Sequence, residues 1–461
     1  MSAVDASAGT PALRRLLPVL YIGVFMAALD TAVIAPAIPA LRAAFGLDHR
    51  TVSLVMTVYV LFSLAATAPM AALGDRWGRR PVYLASVALF ALGSLLIAVA
   101  PNFALVLLGR AIQGVGGGGI IPTASAVIGD ACPPEARGRA LGLVGAMYGM
   151  AFVLGPPLAG VLMVALSWHW IFLANLPIAA ALLALGMRVL PRTRPPSAAS
   201  PFDVGGLLLL CLVLSALVLG ITRVADDLIG QRLWPWWLGA AALLLPLLVA
   251  WERRSAQPLI PIDLFANRRL ARAYVLTAGA GFGMGSVIFL TSIATLAHGV
   301  TPARAGFVLL PMVLCSMLAS TISGRQLHRL GPGPLLVAGF GCLALGYAAS
   351  ALAGGPLWVF LAATMPVGLG VGVVVGGALR SVAIDEAPPQ VRGAAQGLIN
   401  IFTSVGTLLA AAVVGAVADF AGGGADGFGH AYLGVAACML LMAWGAGGLG
   451  RAASAGTAAR G

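Results

Sequence analysis

Long apolar runs dominate this sequence, each near the roughly 20 residues an α-helix needs to cross the hydrocarbon core of a bilayer. Fourteen can be marked, over residues 16–37, 51–73, 81–99, 104–126, 139–162, 169–190, 204–222, 234–251, 271–296, 304–323, 334–353, 356–379, 393–417 and 430–449. No water is present in lipid to satisfy backbone N–H and C=O groups, so runs of this length are read as helices. Composition agrees: with 60% hydrophobic and 9% charged residues, a soluble domain could not cover its own apolar surface. The expected fold class is therefore an all-α membrane protein. The first run has no small-residue cleavage site before or within it and is expected to be a retained span, not a signal peptide.

The charge pattern sets the orientation. All 27 basic residues are arginine, scattered singly or in pairs between apolar runs, so the net charge of +12 does not form the basic patch a nucleic acid would need. Twenty-one of them fall in the tails and in alternate loops, with Arg380 and Arg392 counted there as loop residues; five fall in the opposite loops, and Arg110 lies inside a span. Positive residues favour the inner side, so both termini are expected in the cytoplasm. The five cysteines (Cys132, Cys211, Cys315, Cys342, Cys438) have neither the pairing nor the spacing of a disulfide framework or a zinc site.

An internal repeat organises the chain. DACPPEARGRALGL at residues 130–143 matches DEAPPQVRGAAQGL at 385–398, an offset of 255, and each precedes another span. The loop GDRWGRRP from Gly74 has a decayed counterpart at offset 253, where His328 answers Asp75, Arg329 answers Arg76 and Gly331 answers Gly78. Spans 1–6 and 9–14 are thus copies in the same orientation, as in transporters whose two halves rock about a central cavity. The division that follows is a tail at 1–15, a six-helix half at 16–190, a linker with two inserted spans at 191–270, a second six-helix half at 271–449 and a tail at 450–461.

Against this background one carboxylate stands out. Asp30 lies deep in the first span, where a charge costs several kcal/mol unless it is paired or protonated. Arg110 in span 4 lies about six residues from the outer side, roughly 9 Å; Asp30 lies about seven residues from it, roughly 10 Å. The two charges sit at matching depth, as a coupling pair or as a static ion pair. The repeat equivalent of Arg110 is Met365, so any coupling belongs to the first half.

Other motifs attach to this pair. In the loop Gly74-Asp75-Arg76-Trp77-Gly78-Arg79-Arg80 the glycines allow a tight turn, Asp75 can accept from a helix N-terminus or an arginine, and the arginines can clamp the other half. A plain positive anchor is the alternative. Span 5 carries Gly142, Gly155, Pro156 and Gly160, which combine close helix contact with a bend. Gln113, Asn175, Asn400 and Thr403 are candidate polar groups of a substrate cavity, with ordinary interhelical hydrogen bonds equally open. Trp168, His169 and Trp170 have the look of an interfacial aromatic belt.

These residues resemble the major facilitator superfamily, and within it the fourteen-span drug:proton antiporters, over nearly the whole chain. The Gly74–Arg80 loop is similar to the superfamily's signature loop, Arg110 with Gln113 and Gly114 to its span 4 motif, and Gly142 with Gly155-Pro156 and Gly160 to the antiporter motif of span 5. LDTAVIAPAIP from Leu29 looks like the span 1 motif, with Asp30 matching its acid; Ala32 and Ala35 replace the usual threonine and asparagine, which thins the polar surroundings of the acid. The resemblance implies the major facilitator fold, with two six-helix halves plus two inserted helices, and proton transfer at Arg110; Asp30, paired with it at the same depth, is the expected proton carrier.

The expectation is a multi-pass protein of the cell inner membrane, working as a monomer, that exports amphiphilic small molecules in exchange for protons. The alternatives are an exporter or uniporter of a lipid, metabolite or natural product, and a non-transporting membrane sensor. No nucleophile with a base, phosphate loop or metal spacing appears, so no enzyme activity, cofactor, metal site or nucleic-acid partner is expected. The cargo is left open between cationic and neutral lipophiles.

Overall fold

A computed structural model describes residues 11–47, 49–192, 203–226, 234–255, 258–300, 308–351, 356–422 and 424–449. Most of both expected tails lies outside them. Among the described residues all regular structure is helical. The first half comprises α1 (Pro11–Phe45), α2 (His49–Trp77), α3 (Arg79–Ala98), α4 (Phe103–Ala131), α5 (Pro134–Ala165), α6 (His169–Leu173) and α7 (Asn175–Val189). Next come α8 (Val204–Asp226), α9 (Trp234–Arg254) and α10 (Asp263–Ala266), then α11 (Arg268–Ser286), α12 (Leu290–His298), α13 (Leu310–Leu330), α14 (Pro332–Ala351), α15 (Leu357–Val374), α16 (Gly377–Glu386), α17 (Arg392–Phe420) and α18 (Gly424–Gly447). Among the described residues, eleven helical stretches are long and apolar enough to cross a membrane.

Local chemistry sets several helix ends. Asn102 caps α4 by accepting from the Leu105 amide at 3.0 Å, and Asn267 caps α11 by accepting from the amides of Arg269 and Leu270. The turn between α2 and α3 is made by Gly78 alone, at φ +93°, and its repeat counterpart Gly331 makes the turn between α13 and α14 at φ +78°. Gly74, expected in that turn, lies instead inside α2, because the helical register continues to Trp77.

The buried clusters lie largely within one half or the other, with Leu64 and Ala68 of α2 joining the second half's and Ile384 joining the first half's. Tyr83, Phe90 and Ile120 are buried in the first, and Phe340, Tyr347, Phe360 and Tyr432 in the second. Buried tyrosine hydroxyls find backbone acceptors, as Tyr83 does on Val19 at 3.0 Å and Tyr432 on Ser286 at 3.0 Å. Without a hydrophobic drive between helices in lipid, close contact needs small residues. A Cβ on Gly118 of α4 would fall 2.2 Å from the Ser63 carbonyl of α2, and one on Gly372 of α15 would fall 2.1 Å from the Ser316 carbonyl of α13. Trp168, expected in an interfacial belt, is buried against Phe45, His169 and Phe172, while Trp170 is exposed.

Helix α8 packs on α2 and α17, and α9 packs on α8. Asp203 holds its base by accepting from the Gly206 amide at 2.7 Å and from Trp251 Nε1 at 2.9 Å.

Gly118→Ala should destabilise the protein by about 1–3 kcal/mol, since backbone on the facing helix cannot move aside as a side chain can. Gly434, with open space around its Cβ position in α18, should accept alanine with no loss or a gain of about 0.4–1 kcal/mol. Thermal unfolding followed by fluorescence-detected size exclusion checks both.

Candidate functional site: a buried charge ring and an arginine-rich junction

Asp30 of α1 and Arg110 of α4 are each 1% exposed. Their side chains meet directly, Arg110 Nη1 donating to Asp30 Oδ2 at 2.6 Å. Gln113, one turn beyond Arg110, closes a ring: its Oε1 accepts from Arg110 Nη1 at 2.6 Å and its Nε2 donates to Asp30 Oδ1 at 2.8 Å. That amide also reaches Ser94 Oγ of α3 at 2.8 Å. Asn175, at the break between α6 and α7, donates to Asp30 Oδ1 at 3.4 Å and Ser94 Oγ at 3.3 Å. The guanidinium is completed by the Val55 carbonyl, 3.1 Å from Nε, and by the Tyr59 ring, 4.2 Å from Cζ. Every helix of the first half except α5 and the short α6 contributes.

The geometry corrects two expectations. The polar shell of Asp30 is not thin; it comes from α3, α4 and α7 and not from its own helix, where Ala32 instead packs on Gly155. Gln113 and Asn175 are buried inside the half and do not line open space. Asn400 and Thr403 lie elsewhere, on α17: Asn400 accepts from Arg380, and the Thr403 hydroxyl bonds its own helix at Ile399. Ser94, Tyr59 and the Val55 carbonyl were missed, for a lone serine, a tyrosine and a backbone group carry no pattern.

The ion pairs described between the halves lie at the arginine-rich helix ends. Asp75 accepts from the amides of Gly393 and Ala394, both at 3.1 Å, and so sits on the N-terminus of α17, where free amides and the helix dipole favour an anion. Arg79 bonds Asp75 at 3.3 Å and Asp130 at 3.1 Å, joining the loop to α4. Arg80 bonds the Met187 carbonyl, within its own half, and Arg76 lies partly exposed on the last turn of α2.

Two further ion pairs cross the junction. Asp130 meets Arg392 at 3.4 Å, and Arg137 meets Asp385 at 2.6 Å. In the repeat, Asp130 corresponds to Asp385 and Arg137 to Arg392, so each half gives its acid to the other's arginine. This is the reciprocity of a two-fold interface.

Span 5 divides its roles. Gly142 and Gly145 face the second half, where a Cβ would meet Ser320 O at 2.9 Å and Gly376 Cα at 2.9 Å. Gly155 faces Ala32 of α1, within its own half, and so does not seal the junction. Helix α5 is continuous through these positions; the side chains of Pro156 and Gly160 lie outside the described ones.

Arg380 is the largest departure from the sequence reading. Counted there as a loop residue, it is instead 6% exposed on α16, because the helix resumes after the Val375-Gly376 turn and runs on to Glu386, packed against α5 of the first half.

Comparison with known proteins places this architecture. The family model described as Major Facilitator Superfamily matches residues 20–411. The uncharacterized MFS-type transporter YfiU of Bacillus subtilis is 34% identical over 399 residues, 84% of this chain and 76% of that protein. A multidrug resistance protein B homolog of Mycobacterium tuberculosis is 35% identical over 339 residues, 72% of this chain and 62% of that protein, so the chain spans less than two thirds of its length. The tetracenomycin C resistance and export protein of Streptomyces glaucescens is 30% identical over 402 residues, 86% of this chain and 74% of that protein. The crystal structure of the human organic anion transporter MFSD10 has the same fold, with a TM-score of 0.71 at 20% identity over 95% of this chain and 99% of that one. The chain is a multi-pass membrane protein of the major facilitator superfamily, similar to its drug-efflux members.

Proposed function

We propose that the protein is a secondary active transporter that exports amphiphilic, drug-like small molecules from the cytoplasm in exchange for protons. In this reading it crosses the inner membrane fourteen times with both termini in the cytoplasm and works as a monomer. Residues 16–190 and 271–449 are the rocking halves, and α8 and α9 belong to the inserted linker. The observation that carries the reading is the Asp30–Arg110 pair, an ionisable couple held inside a membrane-spanning half. Intramembrane charges are expensive and are kept for ion and proton pathways.

The cycle follows from what a proton does to the ring. With Asp30 charged, Arg110 and Gln113 hold α1 to α4. A proton arriving from outside neutralises the carboxylate and removes the charge-assisted part of that bond, while Arg110 keeps the Val55 carbonyl, Gln113 and the Tyr59 ring. Helix α1 is then released relative to α4, and through the Ala32–Gly155 contact the movement reaches α5, whose Gly142 and Gly145 face the other half. Loss of the proton to the cytoplasm restores the ring. The arginine-rich junction is the cytoplasmic gate, closed here by Asp75 and by the exchanged ion pairs. The names of the drug-resistance and export relatives support small-molecule export as the direction and class of transport.

Three outcomes are expected. Asp30→Asn in proteoliposomes should lower proton-gradient-driven uphill efflux by at least about tenfold, a barrier change of about 1.4 kcal/mol; full efflux would end the carrier assignment. Removing one partner of a buried pair costs about 3–5 kcal/mol, so the double variant Asp30→Asn, Arg110→Gln, which removes both charges, separates lost coupling from lost folding.

Arg110→Ala should alter the pH profile of efflux, and an unchanged profile would detach the ion pair from proton movement.

The gate can be read at Cys132, which is buried between Asp130 and Arg137. Burial pushes its thiol up from the ordinary range, with Arg137 acting in the opposite sense, so the closed gate keeps it poorly reactive. With the other four cysteines replaced, Asp385→Arg, which keeps Arg137 beside the thiol, should speed its alkylation about two- to fivefold, the scale of a partly exposed pair worth about 0.5–1 kcal/mol. Adding Arg137→Asp, which restores an opposite-charge pair, should restore the slow rate.

A further inference from the structure

Beyond the ring at Asp30, Arg380 is a second charge enclosed by the membrane-spanning helices. It lies in the apolar stretch Leu357–Glu386. Among the described residues its guanidinium meets no carboxylate: Nη1 donates to Ser125 Oγ at 3.3 Å and Nη2 donates to Asn400 Oδ1 at 3.0 Å. Both acceptors are neutral, so the charge itself is uncompensated. Its backbone is fixed by Gln396, whose Nε2 donates to the Arg380 carbonyl at 2.8 Å.

Symmetry locates this group. Ser125 and Arg380 are 255 residues apart, the offset of the repeat, so they are equivalent positions of the two halves. Equivalent residues that touch one another lie on the two-fold axis relating the copies. Gly129 and Ile384 have the same offset and also meet, which marks a second point on that axis. The axis runs through the junction, and it is there that rocking halves part.

Ser125 belongs to the first half, whereas Arg380 and Asn400 belong to the second. When the halves separate at the arginine-rich end, Ser125 leaves and the guanidinium faces the new cleft with Asn400 as its remaining partner. A planar guanidinium in low dielectric matches a carboxylate or sulfonate through two parallel hydrogen bonds and repels a cation.

We infer that Arg380 is the receptor for the negatively charged head group of the exported molecule, and that the cargo is an anionic amphiphile. The inference rests on the export reading and narrows its substrate class, choosing neither the cationic nor the neutral cargo that the sequence left open. It also gives the opening of the gate a reason to favour loading, since the anion is bound best in the state that has lost Ser125.

The test uses three fluorescent probes that differ mainly in charge: dansylglycine (anionic), dansylglycinamide (neutral) and dansyl-ethylenediamine (cationic). Equilibrium binding to the purified full-length protein should favour dansylglycine over the other two by at least about tenfold, or 1.4 kcal/mol. Arg380→Gln should abolish that preference while leaving amide binding unchanged, and Arg380→Lys should keep part of it. Equal affinity for the three probes, preference for the cation, absence of dansylglycine binding, or a parallel loss of all three in Arg380→Gln would overturn the inference; the last would make Arg380 a bolt between the halves. The wild-type comparison and the lysine variant decide the question even if the glutamine variant does not fold. Flux in proteoliposomes separates the two readings: selective binding without gradient-driven efflux sinks export and leaves the receptor, whereas efflux of the cationic probe without charge selectivity in binding sinks the receptor and leaves export.

Discussion

The carboxylate of Asp30 and the guanidinium of Arg110 must be buried together or not at all. Either charge alone in a membrane-spanning half would cost several kcal/mol, and a buried pair holds only when its remaining donors and acceptors are also satisfied. The first half is arranged to meet that condition. Gln113 bridges the two charges, Ser94 and Asn175 support Gln113 and Asp30, and the Val55 carbonyl and Tyr59 ring take what is left of the guanidinium. Five helices are tied at one depth, and changing the charge of Asp30 changes what holds α1 to α4.

The second organising constraint is duplication. The two stretches related by the sequence repeat meet through an interface with nearly two-fold character, so Asp130 and Asp385 exchange partners with Arg392 and Arg137, and the turns at Gly78 and Gly331 share a positive φ. The repeat is broken at several of its charged positions. Asp75 docks on the N-terminus of α17, while its counterpart is His328; Arg110 has Met365 as its counterpart; and Arg380 faces a serine in its own equivalent position.

Much of this was legible in the residues. Helical class follows from run length because lipid leaves the backbone no other partner, and the repeat was readable because arginine, proline and glycine recur at fixed offsets. Asp30 and Arg110 announced themselves by their cost. Gln113 was found only as a polar neighbour, and its role as the bridge was hidden, because which rotamer spans two charges depends on interhelical distance. Gly155 shares the span 5 motif with Gly142, yet it faces α1 and Gly142 faces the second half. A motif records spacing along one helix; which neighbour each face meets depends on how the helix is rotated.

Arg380 marks the limit most clearly. Read along the chain it ends an apolar run and precedes an acidic, proline-bearing loop, which is how a cytoplasmic anchor looks. Hydropathy averages over a window and cannot tell a helix that emerges into water at Arg380 from one that continues past Gly376 to Glu386, enclosed by other helices. The sequence by itself determined the helical class, the duplication and the costly charges, because these depend on composition and periodicity along one chain. Only the tertiary structure decided which charges meet, which polar groups surround them and which arginine lies on the axis, because those depend on distances between helices that no single helix encodes.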